Sequence, residues 1–267
     1  MNDDLMHLGL VEEDEILLDE AALSLAFLDH PDADLTPYDD VLETIALRLA
    51  AVAGEATAAQ EQAAALSMVL ADEFGFVGDA ETYDDPANAD LIRVIDRRRG
   101  LPVSLAILYV AAARRCGWSA NVLDVPGHVL VLVGEAVVPV IIDPFRRGAA
   151  VDSDQLAAMV ATMDRGSGAA VRHVAAMPNR AVLVRLLLNQ ATRAEQSGGR
   201  QRALALYTRM TMMAPGYGHV WWERARLERL EGDIPAARQS LAAMLEITRD
   251  ARLRERVSTT LDALATP

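Results

Sequence analysis

The feature that most constrains this chain is a change of hydrophobic period near residue 117. Before it, apolar residues recur at helical spacing. From Ser119 to Asp143 they gather in short β-rich runs, SANVLDV, HVLVLV and VVPVIID, separated by PG and GEA; after Asp152 the helical spacing returns. The two periods bury different faces of the backbone. The chain is therefore expected to fold as α+β, mainly helical, with a small antiparallel meander inserted. Pro139, inside the third run, marks an edge position or a bulge, since proline donates nothing to a ladder.

Helices are predicted over residues 12–29, 38–53, 56–73, 91–97, 102–116 and 152–163, and from about Arg180 to the end. Thr36 with Pro37 reads as an N-cap and first-turn pair, and Gly117 as a C-terminal stop. The helix in RRGLPVSLAILYVAAARRCG, residues 98–117, is apolar almost throughout, with one serine (Ser104) in its first turn and one cysteine (Cys116) at its far end. His128, in VPGHVLVLV, and Asp143, in VIIDPF, follow on the meander. A hydroxyl or thiol, an imidazole and a carboxylate are the parts of a nucleophilic triad.

The spacing of the last two tests whether they meet. If HVLVLV and VVPVIID form a hairpin around GEA, the turn centres between residues 135 and 136, and His128 lies directly opposite Asp143. Cross-strand partners have Cβ atoms ~5 Å apart, within reach of an imidazole–carboxylate hydrogen bond. A bulge at Pro139 that shifted the register by one would send the two side chains to opposite faces. A structural histidine at a strand start is the other reading.

Charge is unevenly placed. Residues 1–96 carry 24 acids against two Arg, and residues 97–267 carry 15 acids against 23 Arg; the chain has no lysine. Such an acidic first third argues against a nucleic-acid face. It is either a solvated surface or a face that docks on the Arg-rich half or on a basic partner. The start, MNDDLMHLGLVEEDE, is acidic where a secretion signal is basic, and no apolar run approaches the ~20 residues of a membrane span. A single cysteine fits a reducing cytosol. The expectation is a cytoplasmic protein with no membrane or nucleic-acid partner.

An internal period appears near the end. Gly198 and Gly232, Ala203 and Ala237, Tyr207 and Leu241, and Met210 and Met244 each lie 34 residues apart. That is the period of tetratricopeptide helix pairs, with a generic helical hairpin array as the alternative. The tail, residues 176–267, is read as such an array, and residues 1–175 as a separate domain with N-terminal helices (1–97) and a core (98–175). Trp221 and Trp222 open a repeat helix; one belongs to the core, and the other is placed to anchor a partner in the groove.

The run FGFVGDAETYDDPANADLIRVIDRRRGLPVSLAILYVAAARRCGW, continued by VPGHVLVLV and IIDPF, resembles the bacterial SirB-type family, which joins a transglutaminase-like core to C-terminal tetratricopeptide repeats. The resemblance covers most of the chain. It implies a papain/transglutaminase-like core and, in the wider superfamily, a Cys-His-Asp triad whose cysteine begins a helix. His128 and Asp143-Pro144 match the second and third members. Gly100, Arg114 and Gly117 align, but Pro102 falls on the cysteine. A helix N-terminus lowers a thiol's pKa, and its first position also accepts proline without losing a hydrogen bond. Proline there keeps the fold and removes the nucleophile.

Neither substitute is well placed. Ser104 lies ~200° around the helix from Pro102, and Cys116 ~21 Å along it; the plain readings are a backbone-bonded serine and a small buried core residue. Arg97, Arg98, Arg99, Arg146 and Arg147 cluster at the ends of the candidate site, either to hold a carboxylate or phosphate or to pair with the acidic N-terminal helices. No phosphate loop, dinucleotide fingerprint or zinc motif occurs, and Asp84, Asp85 and Asp90 lack the rest of a calcium loop. No cofactor or metal is implied. The expected function is a non-catalytic protein-interaction module, binding a protein or peptide through the degenerate cleft or the helical groove. The alternatives are an amide hydrolase or acyl transferase using Ser104, His128 and Asp143, and a purely structural scaffold.

Overall fold

The computed structural model describes residues 2–125, 127–135, 138–164 and 175–264. The fold is α+β and mainly helical, in two compact units: Glu13–Leu186, and Met1–Glu12 together with Leu187–Pro267. The chain opens on α1 (Asn2–Leu10), which belongs to the second of these.

In the unit Glu13–Leu186, a 3-10 turn (Glu13–Glu15) precedes α2 (Leu18–Phe27), so the helix expected from residue 12 starts later. Then come α3 (Thr36–Ala53), with Pro37 in its first turn, and α4 (Ala59–Leu66), which continues as a π-helical segment over Ser67–Glu73. Strand β1 (Val77–Gly78), α5 (Leu91–Arg97), β2 (Arg99–Gly100) and α6 (Pro102–Arg115) follow. The parallel pairing of β1 with β2 is two residues long and carries no apolar pattern that would announce it. In α6, twelve residues from Pro102 to Ala113 are buried. A helix apolar on every side belongs at the centre of a core, and α6 packs against α2, α3, β3 and β4.

The meander is β3 (Ala120–Val125), β4 (His128–Val133) and β5 (Val140–Asp143), closed by a short β6 (Ala149–Ala150); the sheet is antiparallel in the order β3-β4-β5-β6. Pro139 stands just before β5, outside the ladder. Leu123, Val125 and Leu130 form a cluster with Leu156, Met159 and Val160 of α7 (Ser153–Asp164). Helix α8 (Asn179–Gln196) completes the chain of this unit through Leu186.

The acidic first third meets Arg-rich segments inside this unit: Arg115 with Asp19 at 2.7 Å, Arg180 with Glu13 at 2.7 Å, Arg97 with Asp79 at 2.9 Å and Arg147 with Asp72 at 2.7 Å.

In the second unit, α9 (Arg200–Met213), α10 (Gly218–Leu230), α11 (Ile234–Ile247) and α12 (Ala251–Ala263) pack in succession, and α1 lies against α9. The 34-residue pairs sit in matching environments. Ala203 and Ala237, Tyr207 and Leu241, and Met210 and Met244 are all buried, and Gly198 and Gly232 both take the left-handed conformation that ends a helix. No described helix is long and apolar enough to cross a membrane.

Candidate functional site

The site is organised by the approach to α6. Arg98 ends α5 in a left-handed conformation, and Gly100 sits where an added Cβ would be 3.1 Å from Val94 and 3.4 Å from Ser104. Leu101 caps α6 in extended geometry and Pro102 occupies the first turn. The anchor is Asn88, fully buried, whose carbonyl accepts from the Leu101 N–H at 3.0 Å and from the Ser104 hydroxyl at 2.7 Å. Its side-chain amide donates to Thr82 O at 2.7 Å and accepts from Arg97 at 3.2 Å. Asp79, also buried, accepts from the Thr82 hydroxyl at 2.6 Å, the Thr82 N–H at 2.8 Å and Arg97 at 2.9 Å. Sequence reasoning missed Asn88 and Asp79. The available signal was Asp85-Pro86, which caps the 3-10 turn Pro86–Ala89 and so fixes Asn88.

His128 and Asp143 do meet, with Nε2 and Oδ2 2.9 Å apart. They are not direct ladder partners. The register pairs Val131 with Ile142, Leu132 with Ile141 and Val133 with Val140, displaced by two residues from the expected one. Because side chains alternate with period two, an even displacement keeps both residues on one face. Asp143 is 1% exposed and works twice: Oδ1 accepts from the N–H of Phe145 at 3.0 Å and of Arg146 at 3.4 Å, capping the turn Pro144–Arg146. The His128 side chain is 20% exposed, and Nδ1 carries no hydrogen bond among the described residues. Phe145 meets His128 edge-to-face at 6.2 Å, and Tyr83 meets Phe145 the same way at 5.8 Å. Gly78 permits this wall, since a Cβ there would lie 2.4 Å from the Phe145 ring. The glycine–aromatic contact joins residues far apart in sequence, which spacing alone does not reveal.

Among the described residues, neither Ser104 nor Cys116 is hydrogen-bonded to this pair. Ser104 is fully buried with its hydroxyl turned to Asn88 O, and no hydrogen bond joins it to His128 among the described residues. Cys116, half-buried rather than buried, caps the far end of α6 with Sγ 3.6 Å from Ala46 O. Burial pushes its pKa up, the opposite of an activated thiol. What remains is an oriented imidazole beside a carboxylate, able to take up a proton or bond a ligand through Nδ1.

The five arginines separate into different tasks. Arg97 joins the Asn88–Asp79 network, and Arg147 pairs with Asp72. Arg98 stacks over Phe76 at 4.6 Å with Nη1 buried and without a hydrogen-bond partner among the described residues, and burial lowers its pKa. Arg99 is exposed. Arg146 is 72% exposed, with Nε 3.7 Å from Asp143. Trp221 donates its indole N–H to Pro215 O at 2.8 Å, and Trp222 lies beneath Arg256 at 4.4 Å. Among the described residues, no group of three His, Cys, Asp or Glu side chains is placed to hold a metal ion.

The family model of the transglutaminase-like superfamily matches residues 36–188. A UPF0162 protein of Xylella fastidiosa strain 9a5c is 28% identical over 244 residues, covering 90% of this chain and 87% of that protein. A second UPF0162 protein, from strain Temecula1, is 30% identical over 187 residues, with 68% and 66% covered. F-box only protein 21 of Mus musculus is 33% identical over 66 residues, 25% of this chain and 10% of that protein.

Proposed function

This chain belongs to the transglutaminase-like superfamily, and from that premise we propose that it is a non-catalytic protein-interaction module. The observation that carries this reading is the start of α6. By the family resemblance Pro102, in the first turn of α6, stands where the superfamily places its nucleophile, and Ser104, two residues on, spends its hydroxyl on Asn88 O. In this reading the fold is kept although its nucleophile has been replaced. His128 and Asp143 are still paired, and the α6 N-terminus is still braced by Asn88. In this reading the C-terminal helices are a tetratricopeptide-like array of the SirB type. The matched burial of residues 34 apart supports it, and such arrays present grooves to other proteins. The single cysteine and acidic composition fit work in the cytoplasm.

The rival is an amide hydrolase or acyl transferase with Ser104, His128 and Asp143, favoured by the His128–Asp143 hydrogen bond. It requires Ser104 to leave its buried bond and reach the imidazole. An assay with amide and ester acyl donors, with and without amine acceptors, separates the two. The expected result is turnover no faster than background, unchanged in Ser104→Ala. Turnover that survives Cys116→Ala and vanishes in Ser104→Ala overturns the non-catalytic reading.

A further inference from the structure

Within the helical unit, α10, α11 and α12 line a half-open cavity of about 260 Å³. Its apolar wall is Trp222, Ala225, Leu241 and Leu264, and its polar rim includes Arg226, Arg229 and Thr260. The volume lies below the ~300 Å³ at which small-molecule sites begin, so it suits one inserted side chain. The rim charges are not equivalent. Arg226 is held by Glu195 and by Glu223 at 2.5 Å. Arg229 is exposed and makes no ion pair or hydrogen bond through its guanidinium among the described residues. Arg256 lies over the Trp222 ring at 4.4 Å, adding a second cation beside the wall. Unlike Trp221, Trp222 donates its indole N–H to nothing among the described residues. An apolar hole with a free guanidinium, a second cation and an unused N–H at its edge is complementary to an apolar side chain flanked by carboxylates.

We propose that this cavity binds an acidic peptide segment of a partner protein, inserting a leucine-sized side chain against Trp222 while a neighbouring carboxylate pairs with Arg229. The proposal deepens the interaction reading and rests on it. Aromatic and arginine anchors at a pocket dominate such interfaces, and a charge-assisted guanidinium–carboxylate bond fixes the register.

The test uses the full chain and a fluorescein-labelled peptide of glutamates and serines around a single leucine, followed by fluorescence anisotropy. A twin peptide with lysines for the glutamates is the comparison. Saturable binding of the acidic peptide alone is expected, weakening with salt. Arg229→Glu, at an exposed position, and Trp222→Ala each weaken it about tenfold or more. Arg252→Glu, an exposed arginine of α12 outside the cavity, changes it less than about twofold. Trp222→Phe keeps the wall apolar and serves if Trp222→Ala unfolds. No saturable binding, equal binding of the lysine twin, or equal loss in Arg252→Glu overturns the proposal. So does a concentration-dependent dimer in sedimentation that Arg229→Glu abolishes, because a second copy's acidic first third is then the occupant. Catalysis through Ser104 sinks the interaction reading whatever the peptide does; failed binding without catalysis sinks this proposal alone.

Discussion

Tyr109 is fully buried on α6, and its hydroxyl has no partner among the described residues. Burial raises the phenol's pKa, so the group stays neutral. Deleting an unpartnered hydroxyl leaves nothing unsatisfied. Tyr109→Phe is therefore expected to leave stability unchanged or raise it by up to ~1 kcal/mol in urea unfolding; a loss of that size instead reveals a bridging water. Asp79 is the opposite case. Burial works to raise its pKa, but the Thr82 hydroxyl and N–H, the Asn88 amide and the Arg97 charge together hold it below the ordinary value of 3.8. The folded state then binds its proton less readily than the unfolded state. The stability Asp79 contributes is complete above the unfolded value and is lost as pH falls through the folded one. Asp79→Asn should thus be less stable than the parent near neutrality, with the gap closing below about pH 4. A gap of constant size across that range would show that the charge of Asp79 plays no part.

The π-helical segment Ser67–Glu73 faces the turn before β6. The Ser67 hydroxyl is 2.7 Å from Gly148 O, and a Cβ on Gly148 would fall 2.2 Å from Ser67 Oγ, at φ +72°. Gly148→Ala combines a left-handed alanine with a clash and is expected to cost ~2–4 kcal/mol in denaturant unfolding. Adding Ser67→Gly removes the clash but not the conformation, so it recovers only part; full recovery would place the whole cost in the side-chain contact. Elements of this kind also mark where the sequence stops being readable. Helix α6, the meander and the 34-residue period were legible, because each rests on many residues repeating one spacing. The His128–Asp143 pairing was legible as a pair but not in register, since loop length sets the register and an even slip leaves the pattern unchanged. The parallel bridge β1–β2, the π segment and the Asn88 brace depend on one or two contacts between distant residues, and no local pattern encodes them. The reading of Pro102 rests on the family resemblance alone, because proline in a first helical turn is locally ordinary.

At the scale of the molecule, one end of the chain belongs to the other. Helix α1 packs on α9, and Gly9 lies so close to Met212 that an added Cβ would be 2.5 Å from its carbonyl oxygen. Deleting residues 1–12 is expected to lower amide-exchange protection in α9 while leaving α6 protected as before; unchanged exchange in α9 would show that α1 adds no stability there. The arrangement also imposes an order in time. A ribosome adds roughly 5–20 residues per second, and some 190 residues separate α1 from the start of α9. Helix α1 therefore waits roughly 10–40 s after its own synthesis for its docking surface to be made. During that interval Leu5, buried in the finished protein, is open to any chaperone that recognises a short apolar segment of a nascent chain.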